Sequence, residues 1–254
     1  MKDFFAAVSN KSFTLFQFVV NLGRVKTHTF ANYKHHHIIM LHCLTDTPSP
    51  VSNWIMQLRD VNIQKDSARF RNNIRRISHM LAYEIGKSLN YKTIDAKTPL
   101  GTAKCDVVSD QIVIASILRA ALPMHDGFLD VFDDAENAFL SAYRNYKDDG
   151  SFEIKAEYMA CPDLNDKTLL LVDPMLATGA SVVTAVNCLL RDGKPKKIFF
   201  ASIISSRQGV ETIQKNFGDD CEIWTAACDP KINSHGYIVP GLGDAGDLCF
   251  GQKL

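Results

Sequence analysis

Apolar residues recur along this chain in two rhythms, and the rhythms alternate. From Asp66 to Asn90 the positions Phe70, Ile74, Ile77, Leu81, Ile85 and Leu89 repeat at three and four residues, which predicts a helix with one buried face. From Gln111 to Leu118, the residues after Gln111 form an apolar run broken only by Ser116, the pattern of a central parallel strand. Leu169 to Val172, Lys197 to Ile204 and Glu222 to Ala227 read as further strands. Between them, Val182, Val183, Val186, Leu189 and Leu190 give one helical face, and Val210, Ile213 and Phe217 give another that closes near Gly218. Alternation of this kind predicts an α/β fold: a mainly parallel central sheet with right-handed crossovers and helices on both faces. The polar stretch Asn145 to Asp166, with Asp148-Asp149-Gly150 as a turn and Phe152-Glu153-Ile154-Lys155 alternating, predicts a hairpin arm ahead of the Leu169 strand.

Residues 1–39 do not share this pattern. They hold one acid, Asp3, against Lys2, Lys11, Arg24, Lys26 and Lys34, with an aromatic-rich patch from Phe13 to Leu22. Gln17 interrupts the apolar core and no small-residue cleavage site follows, so a signal peptide fits poorly. A transit peptide fits the charge better, and an upstream segment preceding a start at Met40 is a further reading. His35-His36-His37 reads as a solvated polar turn, since adjacent histidines alternate faces in a strand and no second ligand group is spaced to complete a metal shell. The chain thus divides into an extension, 1–39, and a single domain, 40–254.

At 254 residues and 46% hydrophobic content the chain can bury one large α/β core. Its formal net charge is zero, so no global charge points to nucleic acid or a membrane surface as partner, and any anion site must be local. The arginines Arg69, Arg71, Arg75 and Arg76 read as the solvated outer face of the first long helix. Seven scattered cysteines without a Cys-x-x-Cys pair imply reduced thiols in a cytoplasm, most of them core fillers.

The chemistry concentrates where strands end. Asp173 follows the Leu169 strand at the edge where open α/β sheets place ligands. Ala177, Thr178, Gly179, Ala180 and Ser181 are small or hydroxylic, so their backbone can approach an anion just ahead of the positive end of a helix dipole. Arg119 follows the Gln111 strand at the same edge, and its guanidinium can match two phosphate oxygens. His125 alone reads as a packed surface histidine. Gly241-Leu242-Gly243-Asp244-Ala245-Gly246 satisfies Gly-x-Gly-x-x-Gly, yet only eight residues follow it, too few for the helix and strand of a dinucleotide fold.

Asp173-Pro174-Met175-Leu176-Ala177-Thr178-Gly179 resembles the phosphoribosyl-pyrophosphate loop of type I phosphoribosyltransferases, in the variant carried by uracil phosphoribosyltransferases. Gly236 to Asp247 is similar, nearly residue for residue, to the uracil-binding tail of those enzymes. Ile117 to Gly127 resembles a second family motif and departs from it at Ala121 and Pro123, where glycine is usual; the departure removes positive-φ freedom and one N–H donor. Tyr143-Arg144-Asn145 matches a third. The resemblance implies uracil and 5-phosphoribosyl-1-pyrophosphate as substrates, UMP and pyrophosphate as products, and a base-binding hood at the C-terminus. It implies Asp173, Arg119 and Arg144 as catalytic residues. Arg119, Arg144, Asp173 to Ser181 and Asp244 would hold the phosphoribosyl pyrophosphate, while Ile238, Gly243, Asp244 and Ala245 would hold uracil. Magnesium, contacted by Asp244 through water, a homo-oligomer and GTP as activator are implied in the same way. Two rivals on the same fold are a catalytically impaired relative and an RNA-binding regulator.

Overall fold

The computed structural model describes residues 27–28, 41–146, 152–191 and 193–253, with backbone alone at 27–28, 142–146 and 152–157. His35 to His37 and the Asp148-Asp149-Gly150 turn lie outside the described residues. The described residues begin with strands β1 (Thr27–His28) and β2 (Leu41–Cys43), then helices α1 (Pro50–Arg59) and α2 (Ser67–Gly86). A hairpin, β3 (Tyr91–Thr98) and β4 (Gly101–Val108), leads to β5 (Ile112–Leu118) and α3 (Leu122–Leu129). The arm is β6 (Glu136–Tyr146) with β7 (Phe152–Ala160), followed by β8 (Thr168–Val172), β9 (Met175–Leu176) and α4 (Ala180–Leu189). Then come β10 (Lys197–Ser206), α5 (Arg207–Phe217), β11 (Cys221–Asp229), β12 (Lys231–Ile232), β13 (Ile238–Val239) and α6 (Ala245–Phe250).

The main sheet has the order β1-β2-β11-β10-β8-β5-β6-β7, with β9 beside β10. Every pairing from β2 to β6 is parallel, and only the edge strands β1 and β7 run antiparallel. The continuous apolar runs have a direct cause in this arrangement. In β8, Leu170 and Val172 enter the core shared with α1, α2 and α3, while Leu169 and Leu171 enter the core under α4 and α5. A strand covered on both faces has no polar side to show. No described helix is long and apolar enough to cross a membrane.

Helix α2 starts at Asp66, whose carboxylate accepts from Arg69 N–H at 3.0 Å, and it buries Phe70, Ile74, Ile77, Leu81 and Ile85 as the periodicity predicts. Its arginines are engaged one by one. Arg75 grips Asp130 with two bonds of 2.7 and 2.9 Å, and Arg71 donates to the Cys249 carbonyl at 2.6 Å. α2 meets α3 closely at Gly127, where an added Cβ would stand 2.6 Å from the Arg75 carbonyl oxygen and from Ser78 Cβ. Gly127→Ala is therefore expected to destabilise the chain by about 1–3 kcal/mol, as overpacking does, which urea unfolding would register as a lower midpoint at unchanged slope.

Two features depart from what the sequence suggests. The β3–β4 hairpin, absent from the sequence reading, projects with most of its residues exposed. His125 is not a surface residue: it is buried against Phe139, with Nδ1 2.7 Å from the Ser116 hydroxyl, and burial lowers its pKa. All seven cysteines are free, though only Cys43, Cys221 and Cys249 are fully buried.

Of residues 1–39, the described pair Thr27–His28 contacts the sheet as an antiparallel edge on β2. A chain beginning at Met40 is expected to keep its cooperative melting transition, within a few degrees, and its turnover; loss of the transition would place the extension in the core.

Candidate active site

Parallel register sets the site. Ser116 of β5 pairs with Val172 of β8, so both strands end at one level and release Arg119 and Asp173 at the same carboxyl edge. Asp173 donates its N–H to the Ala201 carbonyl at 3.1 Å, and its carboxylate accepts from Met175 N–H at 3.1 Å. The Pro174 carbonyl accepts from Ile204 N–H at 3.0 Å, which carries Met175 and Leu176 onto β10 as β9. Gly179 then turns the chain at φ 81°, where an added Cβ would press on Thr212 at 3.0 Å, and α4 begins. Thr178 Oγ1 accepts from Ala180 N–H at 3.3 Å, a long bond that an anion can replace. Gly179 itself offers α4 no side-chain cap, and the first turn of the helix meets the cavity at Ser181 and Val182, where its positive end can face an anion.

The loop is shaped from behind by α5. Ser206 donates its hydroxyl to the Ala177 carbonyl at 2.5 Å while accepting from Gly209 N–H at 2.9 Å. Gly209 allows this approach, because an added Cβ would stand 2.5 Å from the Ala177 oxygen and 2.6 Å from the Leu176 oxygen. Neither residue carried a signal in the sequence, since their role arises only when α5 is laid across the loop. Gly209→Ala is expected to push the loop out of place and to weaken anion binding there about tenfold, as calorimetric titration with inorganic pyrophosphate against the unaltered chain would show.

Opposite stands the glycine-rich C-terminal segment. Gly241 and Gly243 have φ of 61° and 96°, so these glycines serve a reversing loop and not a dinucleotide fold. Asp244 caps α6 by accepting from Asp247 N–H at 2.9 Å. Arg119, reached through a cis Leu118–Arg119 peptide, donates to Asp247 at 3.0 Å and to the Gly251 carbonyl at 2.6 Å. Its buried Nε has no hydrogen-bond partner among the described residues. Ala121 lies at φ −76° and Pro123 in the first turn of α3, where a missing N–H costs nothing; neither position needs a glycine.

Loop and C-terminal segment enclose an open cavity of about 240 Å³. Arg119, Asp173, Met175 to Gly179, Ser181, Gly243, Asp244 and Ala245 line it, as do Tyr237 and Lys253, which the sequence reading did not single out. Pro174, Ala180 and Ile238 do not line the cavity; Ile238 is buried in β13 and Pro174 is buried behind the loop. Arg144 lies in β6 opposite Ile154, its side chain outside the described residues. Although Asp173 reaches the cavity, the protein around it and then the charge of Asp244 push its carboxyl up from 3.8 to about 7. Two acids that repel each other across an anion-binding loop make a place for hydroxyl groups or a cation.

A loop of small and hydroxylic residues facing a glycine-rich C-terminal segment across the carboxyl edge of a mainly parallel sheet is the layout of the type I phosphoribosyltransferase class. The comparison with known proteins narrows that class. The family model described as uracil phosphoribosyltransferase matches residues 45–252. Uracil phosphoribosyltransferase of Porphyromonas gingivalis is 53% identical over 206 residues, spanning 81% of this chain and 95% of that one. The Methanothermobacter thermautotrophicus protein of the same name is 39% identical over 189 residues, spanning 74% and 86%. Among solved structures, the AQ2163 protein from Aquifex aeolicus superposes with a TM-score of 0.75 at 28% identity, over 84% of this chain and 98% of that one. The chain belongs to the uracil phosphoribosyltransferase family.

Proposed function

We propose that the chain transfers the phosphoribosyl group of 5-phosphoribosyl-1-pyrophosphate to uracil, giving UMP and pyrophosphate. The observation that carries this is the single cavity joining the Asp173 loop to the Gly243–Ala245 hood, in a chain of this family. The C1–O bond to pyrophosphate breaks and a C1–N1 bond to uracil forms. Positive charge grows on the ribose and negative charge on the departing oxygens. Asp173 binds the ribose hydroxyls and stabilises the first; Arg119, with Arg144 from the arm, takes the second. The amides and hydroxyls from Ala177 to Ser181 anchor the 5′-phosphate. Backbone groups of Ile238, Gly243 and Ala245 read the base, with Ile238 acting from beside the cavity.

Asp173 and Asp244 fit a magnesium ion as such ions are commonly held, by one or two carboxylates completed by water and substrate oxygens. No group of three metal-ligating side chains occurs among the described residues, so substrate would complete the shell. When bound, the ion would offset charge on the pyrophosphate. The unstrained fit of Ala121 and Pro123 speaks against an impaired relative, and the separately paired arginines of α2 speak against an RNA-reading face. By resemblance to the family the reading extends to a homo-oligomer in the cytoplasm activated by GTP; seven free cysteines agree with a reducing compartment.

The test is to incubate the purified protein with magnesium, phosphoribosyl pyrophosphate and uracil, and to quantify both products. UMP and pyrophosphate in equal amounts are expected. Pyrophosphate without UMP would contradict the reading.

A further inference from the structure

We propose that Arg59 and Asp229 are positioning residues for base recognition, acting as a clamp that fixes the Gly241 peptide and with it the backbone that reads uracil. The inference rests on the uracil reading above and adds to it two residues that do not line the cavity. Arg59 is the last residue of α1 and Asp229 the last of β11. Arg59 meets Asp229 with two parallel bonds of 2.8 Å each, the geometry in which guanidinium and carboxylate bind most strongly. Both then turn to one peptide. Asp229 accepts from Gly241 N–H at 2.8 Å, and Arg59 donates to the Gly241 carbonyl at 2.9 Å.

One residue thus has both of its backbone polar groups held by an ion pair. Among the described residues, Pro240 to Gly243 make no other hydrogen bond. Gly241 stands between Ile238 and Gly243, so its peptide plane sets where the flanking N–H and C=O groups point. The conformation admits no other residue at Gly241: φ is 61°, and an added Cβ would lie 2.1 Å from the Ile238 oxygen. The clamp is also well desolvated, with the Asp229 side chain 7% exposed and that of Arg59 23%. Fixed backbone dipoles discriminate between bases only while they cannot rotate, and this pair prevents the rotation.

The test is Arg59→Ala, with Arg59→Lys beside it, measured for uracil, cytosine and phosphoribosyl pyrophosphate. Arg59→Ala is expected to raise the KM for uracil about tenfold and to cut the preference for uracil over cytosine about tenfold, with the KM for phosphoribosyl pyrophosphate changed less than about threefold. Lysine keeps the charge but lacks the planar fork that meets both Asp229 oxygens and the Gly241 carbonyl, so Arg59→Lys should recover part of both losses. If the alanine variant does not fold, the lysine variant carries the same readouts. An unchanged preference for uracil over cytosine, or both KM values rising together, would overturn the clamp and leave a merely structural ion pair. A wild-type chain that forms no UMP would overturn the uracil reading, and the clamp with it.

Discussion

Asp173→Asn is expected to lower turnover by about 10²–10³, with little change in the KM for either substrate, because the lost charge faces a ribose that becomes positive only in the transition state. Thr178→Ala should behave oppositely. Its hydroxyl holds a phosphate that is the same before and after reaction, so the KM for phosphoribosyl pyrophosphate should rise about tenfold at near-normal turnover. Near wild-type kinetics in both variants would remove the site assignment. The same aspartate variant has a second signature in stability. Folding raises the Asp173 carboxyl from 3.8 to about 7, so the unfolded chain gives up this proton first. Ionisation therefore opposes folding, from about pH 4 upward, and the penalty is complete above about pH 7. Asparagine is neutral throughout and escapes it. Asp173→Asn should melt above the wild type at about pH 8, by roughly 2–4 °C for each kcal/mol relieved, with the gap closing toward about pH 4. A variant less stable than wild type at high pH would show that Asp173 is not the strained acid described.

Uracil should outcompete cytosine by about 10⁴ in kcat/KM. Uracil presents acceptor, donor, acceptor along O2, N3–H and O4, whereas cytosine presents acceptor, acceptor, donor. Peptide groups at Ile238, Gly243 and Ala245 cannot rotate to suit both, so cytosine would bury like groups against like. 5-Fluorouracil differs only at C5, away from the read edge, and should be used. Hypoxanthine should fail on size. Incorporation of the four bases under identical conditions checks this; comparable turnover of cytosine would overturn the assignment of the base and leave the phosphoribosyl half intact.

How much of this was legible before the structure depended on where each signal lies. Leu169 to Val172 announced β8 because a strand buried on both faces is apolar throughout, and the small residues after it announced the loop because close backbone approach needs them. The β3–β4 hairpin escaped for the converse reason. β3 is exposed almost throughout, and β4 half-buries only Ala103, Cys105 and Val107 on one face, too small and too weakly apolar a set to stand out as a strand. His125 was misplaced because a lone histidine carries no sign of the Ser116 hydroxyl that receives it. Arg59 and Asp229 lie 170 residues apart, and Ser206 and Gly209 act only by what they touch. Such contacts are products of the tertiary arrangement, and no local pattern encodes them.

The central claim is that one cavity binds phosphoribose on the Asp173 loop and uracil in the hood. A crystal structure of the protein with UMP tests it most directly. The account predicts the phosphate on the amides of Thr178 to Ser181, the ribose hydroxyls on Asp173, and the uracil edge against the backbone of Ile238, Gly243 and Ala245. UMP bound elsewhere, or with its base outside the hood, would contradict it.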